Sequence, residues 1–316
     1  MKKIIALLLA LVMVFALAAC ASKTEAPAEE TKTETAATET ATEEKTEQTT
    51  EEPAAETAAP ADFKVGFIML HDENSTYDLN FINGAKEAAE ALGVEYVIKT
   101  NVPEGQECYD AAADLADAGC NIVFADSFGH EDYMIQAAKE FPDVQFCHST
   151  GTKAHTENLA NYHNAFASIY EGRYLAGIAA GMKLNEMIEN GTEINGTKVT
   201  AENAKIGYVG AFTYAEVVSG YTSFFLGARS VCPSVTMKVQ FVGSWSDATA
   251  EADAAKALID LGCIVISQHS DNTTPATVAQ QNGVFHVGYN NDMTGIAPEA
   301  SLLSSRIDWS VYFEYV

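Results

Sequence analysis

The chain has 316 residues, 47% of them apolar and 20% charged, with a formal net charge of −26 at pH 7. So acidic a molecule repels polyanions, which argues against nucleic acid as a partner. Seven scattered histidines and six cysteines without a C-x-x-C pair give no zinc-ligand spacing, so neither metal nor cofactor is implied.

In chain order, Lys2 and Lys3 precede the apolar run IIALLLALVMVFA at 4–16. The run is shorter than the roughly 20 residues a membrane span needs, and it has secretory-signal flanks. Leu17-Ala18-Ala19-Cys20 follows it and resembles a bacterial lipobox. That predicts acylation of Cys20, with the mature protein anchored at a membrane surface by lipid alone. Residues 21–61 are mostly Ala, Thr, Glu and Pro, with eleven Glu against three Lys. One sign of charge and little to bury predict a disordered acidic tether. Residues 62–316 carry about −20 of the total charge. Their five cysteines (108, 120, 147, 232 and 263) are read as buried free thiols.

From Phe63 onward, short apolar runs alternate with helical spacing. FKVGFIML, VEYVIK, CNIVFA and DVQFCHS read as strands, separated by helical patterns that end near Gly93, Gly119 and Phe141. Residues 166–189 form one long helical pattern with small residues at Gly172, Ala176, Gly177, Ala180 and Gly181. After the turn-rich GTEINGTKVTAEN the alternation restarts with KIGYVGA, VTMKVQFVGS, CIVISQHS and GVFHVGYN as strands. Two such β-α series predict an α/β protein of two lobes, each a doubly wound parallel sheet flanked by helices. The expected boundaries are 62–165 for the first lobe and 166–290 for the second. Residues 291–316 then return to the first lobe and stop midway through a helix, as a truncated copy of a longer protein would.

Loops after parallel strands point toward one cleft, so these loops are the candidate site. They read HDENSTYDLN, DSFGHED, FTYAE, WSDAT, DNTTP and NDMTG, nearly all with a ring, a carboxylate or both. Tyr77 and Trp245 could hold a planar ring between them, and Asp78, Asp271, Asn290 and Asp292 could read its edge or a sugar's hydroxyls. Helix capping competes with ligand contact for each Asp or Asn in such a loop.

Several stretches together resemble the basic membrane protein family of bacterial lipoproteins, which are substrate-binding components of ABC transporters. The matching stretches are NSTYDLNFINGAKEA, YEGRYLAGIAAG, KIGYVGA, FLGARS, VGSWSDATAEADAAKALIDLGCIVISQHSDN and VGYNNDMTGIAP, spread over almost all of 63–316. The resemblance implies a two-lobed fold of the type I periplasmic-binding-protein kind, joined by hinge strands and holding a purine nucleoside or nucleobase between aromatics. It implies Tyr77 and Trp245 as the stacking pair, and Asp78, Asn290 and Asp292 as polar readers. Asp271 is a further candidate reader and Phe128 a possible wall. It also implies an ABC permease and ATPase as partners. The chain departs from the family at Asn74 and Asn290, where acidic residues are common, and at Asp308, near a Lys of nucleoside-binding members. Ribose contacts are therefore open, and a free nucleobase is an alternative; a sugar or other small polar solute, or a sensing role, is another.

Catalysis is not expected. No H-E-x-x-H, no G-x-S-x-G elbow, no P-loop and no G-x-G-x-x-G occurs at the strand ends.

Overall fold

The computed structural model describes residues 62–316; the leader, Cys20 and the 21–61 tether lie outside the described residues. The first lobe is built from β1 (Lys64–Ile68), α1 (Thr76–Leu92), β2 (Glu95–Lys99), α2 (Gln106–Asp117), β3 (Ile122–Ala125), α3 (Glu131–Glu140), β4 (Gln145–His148), the single turn α4 (Ala154–Glu157) and β5 (Tyr162–Asn164). The second continues with α5 (Ile169–Asn190), the small hairpin β6 (Glu193–Ile194) and β7 (Thr197–Lys198), and β8 (Lys205–Gly210). It then runs through α6 (Ala215–Val231), β9 (Thr236–Phe241), α7 (Ala248–Asp260), β10 (Val265–His269), α8 (Thr274–Gln281), β11 (Phe285–Tyr289) and β12 (Ser301–Ser305). A last helix, α9 (Ser310–Tyr315), follows.

The two five-stranded sheets are parallel throughout, ordered β2-β1-β3-β4-β5 and β12-β11-β10-β8-β9. Counted within its own half, the second sheet repeats the order of the first. In each, the order reverses at one place: between β1 and β3, and between β8 and β10. That reversal leaves a crevice at the carboxyl ends of the strands. Both sheet faces are covered, which is why strands such as IVFA at 122–125 and VISQH at 265–269 are buried along their whole length. In the first lobe, α2 and α3 cover one face, while α1 and α9 cover the other through Phe81, Trp309 and Phe313. In the second, α5 and α6 cover one face and α7 and α8 the other.

Helices α5 and α6 meet backbone to backbone. A Cβ on Gly177 would run into the Phe224 carbonyl, and one on Gly227 into the Tyr174 carbonyl. The small-residue face seen in the sequence is thus the contact face of α5. Helix α1 starts at Ser75, whose hydroxyl accepts the Asp78 N–H, and ends at Gly93 with φ +67°.

The structure differs from the sequence reading after residue 290. Residues 301–305 are not in the first lobe but form the edge strand of the second sheet, paired with β11. SLLSS is short, half polar and half-buried, too weak a pattern to read as a strand. Only α9 packs on the first lobe, where Trp309 stacks on Phe81 at 4.5 Å and Asn80 donates to the Ile307 carbonyl at 2.7 Å. The five cysteines among the described residues are buried and free. No described helix is long and apolar enough to cross a membrane.

Candidate functional site

The loop after β1 is fixed from within by Asp78. This buried carboxylate accepts the His71 N–H at 2.8 Å, contacts His71 Nδ1 at 3.2 Å, and accepts the Ser75 hydroxyl at 2.6 Å. Burial opposes its charge, but the His71 and Ser75 donors outweigh burial and hold the carboxyl below its usual range. Its neighbour Asp126 moves the other way, pushed well above the carboxylate range by burial and then by the charge of Asp78. Asp126 therefore holds its proton to higher pH than Asp78 does. Asp126 Oδ1 accepts the Leu70 N–H at 3.2 Å, and the Asp126 carbonyl accepts the Tyr77 hydroxyl at 2.9 Å. With its hydroxyl held and its ring against Phe81 at 4.8 Å, Tyr77 has little rotamer freedom.

At the end of β3, Ser127 donates its hydroxyl to Glu104, and Phe128 begins a short 3₁₀ turn. The Phe128 ring stacks on Tyr214 of the second lobe, with centroids 5.4 Å apart and planes 29° from parallel. Tyr214 caps α6 and lies 5.9 Å from Trp245, whose ring also meets Phe212 edge-on at 5.2 Å.

The loops after β9 and β10 are organised together by Glu251. Its buried carboxylate accepts from Ser270 Oγ at 2.7 Å, Asn272 N at 3.2 Å and Asp247 N at 3.1 Å. Burial pushes this carboxyl up to about 7 despite those donors. Between the residues it holds, Asp271 donates its N–H to the Trp245 carbonyl at 2.8 Å, so ring and acid are placed as one unit. The Asp271 carboxyl is raised well above its usual range by burial, then by Asp78, Glu251 and Glu216.

The lobes touch at this point. The Thr76 N–H and hydroxyl, at the start of α1, both donate to the Asp271 carbonyl, at 2.8 and 3.1 Å. Beside this contact is a narrow cavity between the strand ends of the two lobes. Leu70, Tyr77, Ser127 and Phe128 line it from the first lobe, and Glu216, Trp245, His269, Asp271 and Tyr289 from the second.

Four of the seven residues expected from the sequence, Tyr77, Phe128, Trp245 and Asp271, thus line one cavity, whereas three do not. Asp78 lies behind the wall and shapes the loop. Asp292 is exposed and accepts from Thr294 N and Oγ1 at 2.9 and 2.7 Å, a local turn. Asn290 is buried at φ +64° beside the β11–β12 connection, with its amide unpartnered among the described residues.

The sequence reading missed a polar group at the cavity's second-lobe side. His269 Nε2 lies 3.6 Å from Glu216 Oε1, and its Nδ1 lies 3.4 Å from the Tyr208 hydroxyl. The Tyr289 hydroxyl donates to Glu216 Oε1 at 3.4 Å, and its ring lies 4.2 Å from the imidazole. His269 and Tyr289 are the last residues of β10 and β11, two places before the loops searched. Glu216 lies in the FTYAE loop and in the first turn of α6, where an acid also suits the helix dipole. Among the described residues no group of three or more His, Cys, Asp or Glu is arranged to hold a metal. What the arrangement offers is a flat aromatic surface with hydrogen-bonding acids at its rim.

A family model described as ABC transporter substrate-binding protein PnrA-like matches residues 67–316. A purine-binding protein of Brucella abortus is 38% identical over 260 residues, covering 81% of this chain and 68% of that one. A putative ABC transporter glucose-binding protein of Haloferax volcanii is also 38% identical, over 63% of this chain, which spans 45% of the relative's length. A solved ABC transporter solute-binding protein from Aeropyrum pernix shares the fold at a TM-score of 0.67 and 17% identity, covering 80% of this chain and 69% of the other.

Proposed function

The chain belongs to the PnrA-like family of ABC transporter substrate-binding proteins, and on that premise we propose that it captures a purine base or nucleoside between its lobes for import. In this reading it is the extracytoplasmic component of the importer, anchored by lipid on Cys20 and given reach by the 21–61 tether. It delivers its ligand to a permease driven by an ATPase. Its polar groups bind and do not catalyse.

One observation carries the reading: Tyr77 and Phe128 of one lobe and Trp245 of the other line a small cavity that also contains the Asp271 carboxyl. Aromatic faces suit a flat heterocycle, each contact worth about 0.5–1.5 kcal/mol beyond its area. Carboxyl oxygens suit ring-edge N–H groups. Capture proceeds by hinge closure. Closing the lobes brings the start of α1 to the Asp271 carbonyl, so the backbone that places the acid also latches the lobes.

The Haloferax relative's name supports a second reading, a sugar, since carboxylates also accept from hydroxyls. Calorimetry separates the two. The full chain is titrated with adenine, adenosine, guanosine, ribose and glucose. Saturable one-to-one binding of a purine, with no heat from either sugar, is expected; glucose binding without purine binding would overturn the proposal.

A further inference from the structure

The cavity's polar side chains have an uneven balance of donors and acceptors. Three hydroxyls line it, and each proton is already donated inside the protein: Tyr77 to the Asp126 carbonyl, Ser127 to Glu104 and Tyr289 to Glu216. Toward a ligand these hydroxyls show only lone pairs. The remaining side-chain donors are the Trp245 indole N–H and whichever imidazole nitrogen of His269 carries its proton. Against them stand two carboxyl groups, Glu216 and Asp271.

Their oxygens are not spent on the protein. Glu216 Oε1 takes only the 3.4 Å bond from Tyr289 and the 3.6 Å approach of His269, and Oε2 takes no hydrogen bond among the described residues. Asp271 accepts on its backbone carbonyl, while its carboxyl takes none among the described residues. His269 Nε2 is itself buried and without a hydrogen-bond partner. The two acids are not equivalent. Asp271 is the more deeply buried, and burial pushes its carboxyl well above the usual range, whereas Glu216 stands at the cavity wall between His269 and Tyr289. Selection therefore falls to Glu216, beside the His269 Nε2 that has no hydrogen-bond partner among the described residues.

Resting on the purine reading above, we propose that Glu216 is the specificity-determining residue of the site. It accepts a hydrogen bond from an exocyclic amino group, so that aminopurines are bound and purines with a carbonyl in that place are rejected. The carbonyl analogue loses twice: its oxygen faces the lone pairs of a carboxyl oxygen, and Glu216 Oε2 is left without a donor. A site built around a hydrogen bond discriminates strongly against an analogue that cannot make it. No Lys or Arg is among the residues that line the cavity, so two acids there disfavour anionic ligands such as purine nucleotides.

The test uses calorimetry of the full chain with adenine, 2,6-diaminopurine, hypoxanthine and xanthine. The two aminopurines are expected to bind about tenfold or more tighter than the two oxopurines, a ratio set by one hydrogen bond. Glu216→Gln can turn its amide N–H to a carbonyl, so in that variant hypoxanthine should gain and the ratio fall toward one. Equal affinities for all four ligands in the wild type would overturn the proposal with purine binding intact. So would a Glu216→Gln protein that weakens all four equally, the result of a merely structural role. Absence of binding by every purine in the wild type would overturn the purine reading itself, and this proposal with it. The wild-type comparison needs no variant to fold.

Discussion

Tyr77 and Trp245 reach the same cavity from opposite lobes, each tied through a backbone carbonyl to a neighbouring loop of its own lobe. Tyr77 is held by its hydroxyl; Trp245 is held by its own carbonyl, which accepts from Asp271. Neither fixing contact involves a ligand, so on the proposed reading both rings are positioned in advance, which lowers the ordering cost of binding. Tyr77→Ala and Trp245→Ala are each expected to weaken purine binding by about 1 kcal/mol or more. The melting temperature of Trp245→Ala should stay near that of the wild type, because the ring is only half-buried. Unchanged affinity in both variants would refute stacking. These two rings were legible in the sequence because an aromatic at a strand-end loop has few other uses. The acids were less legible. Asp78, Asp271 and Asp292 look alike in a string of letters, yet one props a loop, one lines the cavity and one ties a surface turn. Capping and ligand contact need the same residue type at the same place, and only the fold separates them. Glu216, His269 and Tyr289 were hidden for the converse reason: helix and strand periodicity had already accounted for them.

Among elements, α7 does most to shape the second-lobe wall. Asp247 caps it by accepting from Thr249 N and Ala250 N at 3.0 and 2.9 Å, and one turn later Glu251 gathers the loops after β9 and β10. That arrangement has a pH signature. Glu251 has its folded-state carboxyl raised from 4.5 to about 7, so the folded chain binds the proton more tightly than the unfolded one. Its contribution is fully present below about 4.5 and is lost as pH rises through about 7, at most on the order of 3 kcal/mol. Urea unfolding of the wild type and Glu251→Gln from pH 4.5 to 8 isolates this group, because the other raised carboxyls, Asp126 and Asp271, are common to both. The wild type should lose stability relative to the variant across that range; parallel pH profiles would contradict the assignment. The major strands and long helices were read correctly in kind because strict apolar runs and small-residue faces survive in the sequence. Helix α8, with only eight residues, and the edge strand β12 were not read. Short elements carry too few residues to show a period, and an edge strand may stay polar without cost to the core.

At the scale of the whole molecule, the chain makes the same 2-1-3-4-5 strand order twice and turns the carboxyl ends of both sheets toward one cleft. The site therefore follows from topology before any residue is chosen: both reversal points feed it, through Leu70 and Phe128 on one side and Glu216 and Asp271 on the other. Two contacts cross between the lobes beside the cavity, the Phe128–Tyr214 stack and the Thr76–Asp271 hydrogen bonds. Both lie next to the rings that the proposed function assigns to the ligand, so on that proposal binding favours the arrangement in which the lobes touch. The most direct measurement of the central claim is a crystal structure of the protein grown with adenine. Planar density between Tyr77 and Trp245, its amino group within hydrogen-bond reach of Glu216, is the expected result. An adenine bound elsewhere, or a cleft that closes around a sugar carried through purification while adenine stays out, would contradict it.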